Sequence, residues 1–420
     1  MAREMKDSGV EWIGEIPREW EVGKVKNCFV RKNEKAKQEN PIILSLARSG
    51  VKIRDISTGE GQIAESYFNY NPVEKGDLLI NPMDLYSGAN CSVSKVCGVI
   101  SPAYINLKSI NGNNSTYYDY YFKTQYWSMV FFAHGKGVSF DNRWTLNTET
   151  LFNYFIPIPP LEEQEKIANY LDKKVSDIDL IIEKTKATIE DYKKYKHSII
   201  TEAVTKGINP NVEMKDSGIE WIGEIPKHWK IFPIKYILKW KSEKNYPNEM
   251  VLSLYRDYGV IPKDSRDDNH NVTSEDTASY KFVEVGDFVI NKMKAWQGSM
   301  AVSDYQGIVS PAYHVCSFKT NELNKKYFHY LLRNQLYLPE FRRLSTGLRI
   351  GQWDLGFEDF KQLPYLFPPL EEQNQIVEYL DKKTSEIDTL ITKKEALIAE
   401  LEEYKKSLIY ECVTGKKEIK

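Results

Sequence analysis

The chain has 420 residues, of which 41% are hydrophobic and 28% are charged, a composition typical of a soluble globular protein rather than a disordered one. This length is enough for two domains with separate cores, and the net charge of −2 excludes a strongly basic protein without excluding a local basic face. No apolar run approaches the roughly 20 residues of a membrane span and no secretory signal is evident, so we expect a cytoplasmic protein.

A motif near the start of the chain is repeated in its second half. Met5 begins MKDSGVEWIGEIPREW and Met214 begins MKDSGIEWIGEIPKHW, an offset of 214 − 5 = 209 residues. PPLEEQ begins at Pro159 and again at Pro368, and 368 − 159 is also 209. The sequence therefore predicts a tandem duplication. The end segments of the two copies are alike, and their middle segments differ. This pattern fits end segments that bind identical partners and middle segments that face different targets. It also fits a recent duplication whose middle segments were exchanged by recombination.

Each half mixes strands with helices. In the first half VEKGDLLINP (from Val73), CSVSKV (from Cys91) and GVISPAYINL (from Gly98) are typical of strands bounded by glycine turns, and the second half has counterparts. The aromatic stretches that begin at Tyr117 and Asn324 each predict one amphipathic helix. We therefore predict the α+β class for both halves.

A long helix follows each globular part. Two prolines and two glutamates introduce a helical pattern over 161–206, whose apolar positions recur in steps of three and four from Leu171 to Ala203. The second copy repeats this heptad pattern from Leu380 to Cys412. Gly207 and Gly415 are expected to end the helices.

A helix about 70 Å long needs a partner to cover its apolar positions. The two helices are predicted to pair as an antiparallel coiled coil, because a duplicated domain-plus-helix unit closes with pseudo-twofold symmetry only if the helices run in opposite directions. We accordingly divide the chain into a first globular domain (1–160), a central helix (161–207), a second globular domain (208–369) and a C-terminal helix with its tail (370–420).

Catalytic motifs are not evident in the sequence. HGKGVS at His134 lacks the first glycine and the hydroxyl of a phosphate-binding loop, and the six histidines have no metal-ligand spacing. NPMD at Asn81 departs from the tetrapeptide of adenine methyltransferases, and Asp77 and Asp287 are interpreted as turn residues because neither has an evident acidic partner. Five cysteines without a C-x-x-C pair suit reduced thiols. The sequence favours a non-catalytic binding protein without a cofactor of its own.

The full set of motifs resembles the specificity subunit of type I restriction-modification enzymes over essentially the whole chain. The motifs that carry this resemblance are MKDSG-EWIGEIP-W, INKMKAWQGS with VSPAY, and PPLEEQ-I-YLDKK-S-ID. It implies two target recognition domains, each reading one half of a bipartite DNA sequence, with the helices fixing the gap between the half-sites. The first half departs from the pattern, because NPMDLY replaces NKMKAW and lacks counterparts of Lys292 and Lys294.

The resemblance also implies partner subunits. Two methyltransferase subunits would use S-adenosylmethionine to methylate adenine N6, and two restriction subunits can join to give an ATP- and Mg-dependent translocating nuclease. None of these cofactors would bind this chain. Two other classes stay open from the residues alone: an enzyme with an unrecognised site, such as a compact nuclease, and a coiled-coil adaptor that binds only protein.

Candidate contact residues follow from the chemistry of DNA, since lysine and arginine bind phosphates and arginine also contacts base edges. The DNA-binding candidates are Arg31, Lys32, Arg48, Lys52, Arg54, Lys136 and Arg143 in the first half, and Lys241, Arg256, Lys292, Lys294, Arg342, Arg343 and Arg349 in the second. Ordinary solvated surface charge is the alternative for each.

Residues on the outward faces of the two long helices are candidates for methyltransferase docking. They are Glu162, Glu163, Gln164, Lys173 and Lys174, with Glu371, Glu372, Gln373, Lys382 and Lys383 at matching positions. A solvated helix face is the alternative. Four tryptophans of the repeated opening motif are predicted to pack inside the domains rather than on a partner: Trp12, Trp20, Trp221 and Trp229.

Overall fold

The computed structural model describes residues 3–47, 49–56, 64–83, 85, 90–137, 144–256, 258–265, 277–347 and 353–419. The chain divides into two compact units, one formed by Met1–Thr185 with Ala396–Lys420 and the other by Lys186–Glu395. The limits of these units fall inside the two long helices, so each unit holds one globular part and a segment of each helix. The domain limits drawn from the sequence, which follow the helix ends, stay a prediction.

The described part of the first unit is built mainly from short antiparallel strands. They are β1 Met5–Asp7, β2 Glu15–Pro17, β3 Glu21–Lys24, β4 Phe29–Arg31, β5 Leu44–Ala47, β6 Gly50–Ile53, β7 Asn71–Val73, β8 Leu78–Ile80, β9 Cys91–Val93, β10 Gly98–Ile100, β11 Ile105–Ser109 and β12 Phe155–Ile158. Its helices are α1 Val25–Cys28, α2 Ser115–Trp127, α3 Val130–Ala133 and α4 Thr148–Asn153, and α5 Leu161–Lys206 begins in this unit.

The second unit repeats this plan in its described residues. Its strands are β13 Met214–Asp216, β14 Glu224–Pro226, β15 Lys230–Pro233, β16 Leu238–Lys241, β17 Leu252–Tyr255, β18 Gly259–Pro262, β19 Lys281–Val283, β20 Phe288–Asn291, β21 Met300–Val302, β22 Gly307–Val309, β23 Tyr313–Phe318, β24 Ser345–Thr346, β25 Asp354–Leu355 and β26 Pro364–Phe367. Its helices are α6 Lys325–Leu332, α7 Leu338–Leu344 and α8 Phe357–Phe360, and α9 Leu370–Val413 begins here. The α+β class predicted from the sequence is confirmed.

A four-stranded antiparallel sheet lies at the centre of each unit. Its strand order is β4-β11-β8-β9 in the first unit and β16-β23-β20-β21 in the second. Successive side chains of a strand point to opposite faces, so Leu78 and Ile80 enter the main core with α2 while Leu79 enters a smaller core with β5. The central strands are buried on both faces for this reason.

Each aromatic stretch forms two helices, not the single helix predicted. In the first unit α2 begins at the cap residue Asn114, whose side chain accepts from the Tyr117 amide at 3.1 Å. The chain then turns at Met129, where φ is +62°, and α3 follows. In the second unit α7 starts with Pro339 in its first turn. A left-handed residue does not continue a regular helix, which explains the first break, and a proline is favoured in the first turn of a helix, which suits the start of α7.

The predicted long helix over 161–206 is confirmed, as is a glycine after each long helix. Gly207 and Gly415 have φ of +75° and +71°, a region that glycine adopts without strain. Most of the predicted heptad positions of α5 are buried, among them Leu171, Ile178 and Ile189. None of the helices in the described residues is long and apolar enough to cross a membrane.

The helix segments run antiparallel inside each unit. In the first unit the Lys405 ammonium binds Asp179 at 2.6 Å, and Lys417 lies over the Tyr170 ring at 5.8 Å. In the second unit Lys196 binds Asp388 at 2.6 Å and Lys394 lies over the Tyr192 ring at 6.0 Å. In both cases residue numbers rise along α5 as they fall along α9 and, in the first unit, the tail that follows it.

Candidate nucleic-acid interface

The repeated opening motif packs onto the start of the long helix in its own unit. Trp20 is fully buried and its indole N–H donates to Glu163 at 2.7 Å, while Arg3 donates to the same carboxylate at 2.8 Å. In the second unit Trp229 is equally buried and donates to Glu372 at 3.0 Å. The recurrence of the motif thus has an internal structural cause, and the predicted packing of these two tryptophans is confirmed.

The other two tryptophans of the motif are partly buried. Trp12 stacks on Tyr154 with ring centroids 5.0 Å apart, and Trp221 meets Tyr337 edge-on at 4.9 Å. Both rings therefore pack against an aromatic residue of their own unit, as predicted, but neither is fully buried.

Two of the predicted docking residues are inside the protein. Gln164 is fully buried: its amide N donates to Asn113 at 3.1 Å and to the Pro159 carbonyl at 2.9 Å, and its oxygen accepts from the Asn114 amide at 2.9 Å. Gln373 is buried in the same way and accepts from the Asn324 amide at 2.9 Å. The prediction that these glutamines face outward was wrong, because each joins the start of a long helix to the N-cap residue of an earlier helix, Asn114 of α2 or Asn324 of α6.

The carboxylates before these glutamines also have internal partners. Glu163 and Glu372 hold Trp20 and Trp229, and their side chains are only about one-fifth exposed. The remaining docking candidates lie at the helix surface: Glu162, Lys173, Lys174, Glu371 and Lys382 are exposed, and the half-buried Lys383 binds Glu386 at 3.1 Å. Their role in docking stays a prediction.

Two of the predicted DNA contacts form ion pairs inside their units. Lys32 binds Asp77 at 2.8 Å, and Lys241 binds Asp287 at 2.9 Å. Each aspartate also accepts the backbone amide three residues before it, which closes the turn before the central strand. For both lysines burial lowers the pKa, but the carboxylates outweigh it and the pKa is raised. This geometry favours a structural role for both and confirms that Asp77 and Asp287 are turn residues.

The other basic candidates of the first unit are spread over separate segments. Arg31 ends β4, Lys52 lies on β6 and Lys136 lies beyond α3; all three are exposed, whereas Arg54 is half-buried. Arg48 and Arg143 lie outside the described residues. No described contact brings these side chains together, so their DNA-binding role stays a prediction.

The second unit brings three of its candidates together. Arg256, Arg342 and Arg343 line one cleft of about 730 Å³ with Trp296, Gln297, Gln335, Leu338 and Pro339. Arg256 follows β17, Trp296 and Gln297 belong to a short 3₁₀ helix (Ala295–Gln297), and the others lie in or just before α7. Segments far apart in the sequence therefore form one surface, which we call the arginine cleft.

Neighbouring aromatic and acidic side chains position two of the arginines in this cleft. The Arg342 guanidinium lies 5.6 Å from the centroid of Trp296, whose own ring is 5.3 Å from that of Trp353. Arg343 instead binds Glu340 at 2.7 Å, and this pairing raises the pKa of Arg343. Arg342 thus lies on an aromatic surface while Arg343 is paired with a carboxylate.

The remaining candidates of the second half lie elsewhere. Lys292 binds Asp354 at 2.8 Å and Lys294 is exposed, whereas Arg349 lies outside the described residues. Gln297 and Gln335 were missed from the sequence. Gln297 stands in the quoted INKMKAWQGS motif, which could have drawn attention to it, but nothing in the local sequence marks Gln335.

Lys281, the first residue of β19 in the second unit, is a buried basic residue. Lys281 is 7% exposed, donates to the Tyr313 carbonyl at 2.5 Å and lies 5.9 Å from the Trp240 ring. Burial, together with the charges of Lys292 and Lys244, lowers the pKa of Lys281. Burial likewise lowers the pKa of His314, and Lys281 adds to this effect. No group of His, Cys, Asp and Glu in the described part of the chain could hold a metal ion.

Comparison with known proteins gives the family. The family model described as "Type I restriction modification DNA specificity domain" matches residues 17–191 and 226–402. The putative MjaX specificity subunit of Methanocaldococcus jannaschii is 26% identical over 97% of this chain and 96% of that protein. The MjaVIII specificity subunit of the same organism is 27% identical over 64% of this chain and 63% of its own length, so the chain spans less than two thirds of that relative.

Solved structures agree at the level of the fold. A chain from a structural study of complex assembly and conformational transition in the type I R-M system has a TM-score of 0.69 at 14% identity, covering 95% of this chain and 98% of that one. The HsdS subunit from Thermoanaerobacter tengcongensis has a TM-score of 0.55 at 15% identity, with coverage of 96% and 98%. The resemblance inferred from the sequence is confirmed: this chain belongs to the type I restriction-modification DNA specificity family and carries two copies of its characteristic domain.

Proposed function

We propose that this chain is the DNA-reading subunit of a type I restriction-modification complex, and that each globular part reads one half of a bipartite target. One observation carries the proposal: the two units share a frame but present different side chains. FFAHGKG begins at Phe131 and FRRLSTG at Phe341, both fully buried phenylalanines. The next two positions are Phe132 and Ala133 in one unit and a pair of arginines in the other. Different side chains on one frame suit two different DNA sequences.

The chemistry of modification would belong to partner subunits. In this proposal the chain itself is non-catalytic, two methyltransferase subunits use S-adenosylmethionine to methylate adenine N6, and two restriction subunits add ATP- and Mg-dependent cleavage. The family supports this division of labour, because the curated relatives are named as specificity subunits of type I restriction enzymes.

A duplicated exposed surface supports the docking of two identical partners. In the second unit Tyr195 of α5 is 57% exposed and Tyr379 of α9 is 37% exposed. The pKa of Lys383 is raised chiefly by Glu386 and further by these two tyrosines. We call Tyr379 and Tyr195 the second tyrosine pair.

The first unit has the equivalent pair, since 379 − 170 and 404 − 195 are both 209. Tyr404 of α9 is 55% exposed, and the half-buried Tyr170 of α5 lies under the Lys417 ammonium at 5.8 Å. Burial lowers the pKa of Lys417, but Tyr170, Cys412 and Tyr404 outweigh it and the pKa is raised. We call Tyr170 and Tyr404 the first tyrosine pair. Partly exposed aromatic side chains are enriched at protein interfaces, and two equivalent pairs suit two copies of one partner.

The experiment that tests the function is expression of the chain with its cognate methyltransferase, followed by genome-wide mapping of methyladenine. We expect one bipartite motif with a fixed gap. A stable complex that writes no sequence-specific methylation would contradict the proposal. If the complex also lacked salt-dependent DNA binding, the chain would be a protein adaptor. Metal-dependent DNA cleavage by the purified chain alone would instead indicate a nuclease.

The docking surface is tested by native mass spectrometry of the same complex. Replacing both residues of the first tyrosine pair by serine should leave one methyltransferase per chain, and replacing both pairs should leave none. Tyr236→Ser is the matched control, because Tyr236 is 62% exposed in the second unit and belongs to neither pair. Full occupancy after both pairs are replaced would exclude this surface.

A further inference from the structure

Polar side chains line the arginine cleft of the second unit, among them Arg256, Gln335 and Arg342, which are exposed. No hydrogen bond or ion pair engages the side chains of Arg256, Gln297, Gln335 or Arg342 among the residues that the structure describes. Exposed polar groups bind water in the free protein and can exchange it for the polar groups of a ligand. Four planar hydrogen-bonding groups facing one cleft therefore suit a ligand with several hydrogen-bonding edges.

The charge of the cleft selects an anionic occupant. Its described lining residues include three arginines and no carboxylate. Glu340, which is not among the lining residues, pairs with Arg343 at 2.7 Å, and no ion pair within the described residues engages Arg256 or Arg342. A polyanion such as DNA gains from both charges.

The side-chain types select bases rather than phosphates alone. A guanidinium can donate two parallel hydrogen bonds to N7 and O6 of guanine, and a glutamine amide can pair with N7 and N6 of adenine in the major groove. Arg342 is restrained by the Trp296 ring at 5.6 Å, and that ring is itself supported by Trp353 at 5.3 Å. A side chain held in advance loses less entropy on binding and discriminates better between bases.

The apolar part of the lining fits the same ligand. Leu338 and Pro339 provide apolar surface beside the polar groups. The methyl group of thymine, which lies in the major groove next to the base edges, makes apolar contacts of this kind.

We propose that the arginine cleft reads purine edges in the half-site bound by the second unit, with Arg342 on a guanine and Gln297 and Gln335 on adenines. This inference rests on the proposed function and adds the residues and the base types. The first unit has Phe132 and Ala133 in place of the arginine pair. The other half-site should therefore not depend on the cleft.

The test uses the whole complex with its methyltransferase, for the wild-type chain and for Arg342→Ala, Arg342→Lys and the double variant Gln297→Ala with Gln335→Ala. We expect Arg342→Ala to lower discrimination at one guanine of the second half-site by roughly tenfold to a hundredfold. Arg342→Lys should fail to restore it, since lysine keeps the charge but loses the planar fork. The glutamine variant should relax adenine positions, and the first half-site should be unchanged.

The control is Lys227→Ala, which removes an exposed cation that binds Glu213 at 2.6 Å and lies outside the cleft. It should leave both half-sites unchanged. The Tm of each variant complex is also measured. A lowered Tm distinguishes a loss of folding from a true relaxation of the methylated motif.

The outcomes separate this inference from the proposed function. If the wild-type complex writes no bipartite motif, both fail. If it writes a motif and the cleft variants keep every base of the second half-site, only the cleft inference fails. Arg342→Ala could instead weaken DNA binding equally for all sequences and reduce the salt dependence of the affinity by the equivalent of about one phosphate contact. That result would make Arg342 a phosphate contact and overturn base reading.

Discussion

Replacing Gln164 by alanine should destabilise the first unit while leaving partner docking intact. The fully buried side chain makes three hydrogen bonds, to Asn113, to the Pro159 carbonyl and from the Asn114 amide, at 2.9 to 3.1 Å. Its loss leaves three polar groups with fewer partners in a closed site. A buried group left unsatisfied costs about 1–3 kcal/mol, so the expected loss in the free energy of unfolding is about 3 kcal/mol.

The assay combines thermal unfolding of the full chain with hydrogen exchange of the segment around Asn114. A loss of about 3 kcal/mol lowers the Tm of a unit of about 200 residues by roughly 6–12 °C. Because Asn114 caps α2, exchange at the start of that helix should rise first. Gln373→Ala should have the same effect on α6, which is capped by Asn324.

Two further variants check the cause. Glu162→Ala is the matched control, because Glu162 lies on the same helical turn but is exposed and binds Lys166 at 2.8 Å, and its loss should leave the Tm unchanged. Gln164→Glu keeps the size but faces two acceptors with a charged oxygen, so it should be at least as destabilising at pH 7 and partly recover on acidification. A Gln164→Ala chain that melts like the wild type but fails to bind the methyltransferase would refute the structural role and restore the docking role.

Three other perturbations follow from the structure. Burial, aided by Arg333, lowers the pKa of His329 to about 3, below the usual 6.5, so between these values the unfolded chain binds a proton at this residue and the folded chain does not. The free energy of unfolding should therefore fall by about 1.4 kcal/mol per pH unit as the pH drops below about 6.5. Denaturant titrations should show this slope for the wild type and not for His329→Gln. Lys241→Met should cost about 3 kcal/mol in the same titrations by leaving Asp287 buried without its cation, and an unchanged midpoint would contradict the ion pair's role. Gly415→Ala should cost about 1–2 kcal/mol for the left-handed backbone, and more because an added Cβ would displace the ring of Pro17; a Tm equal to that of the wild type would show that this turn relaxes freely.

The chemistry of the cleft depends on groups that are distant in sequence. Arg342 and Arg343 are neighbours in FRRLSTG, and both were predicted as DNA contacts, but one lies on Trp296 and the other is paired with Glu340. Their difference is set by which segments fold against α7, and no local pattern contains that information. Gln335 was missed for the same reason.

Burial of polar residues was the other feature that the sequence could not reveal. Gln164 and Gln373 occupy positions of a helix start that are usually solvated, and their equivalence in the two repeats fitted a shared docking face as well as a shared internal contact. In the first unit the loop before α2, with Asn113 and Asn114, decides between them by supplying the hydrogen-bonding partners.

The sequence by itself determined the duplication, the α+β class, the long helices and the family, because these depend on repeats, on periodicity and on local turn and capping residues. The tertiary structure alone decided which polar groups are internal and which arginines share a cleft, because both depend on contacts between segments that are far apart along the chain. Lys32 and Asp77 illustrate the difference: each is ordinary in its local sequence, and only their approach to 2.8 Å makes them an internal ion pair.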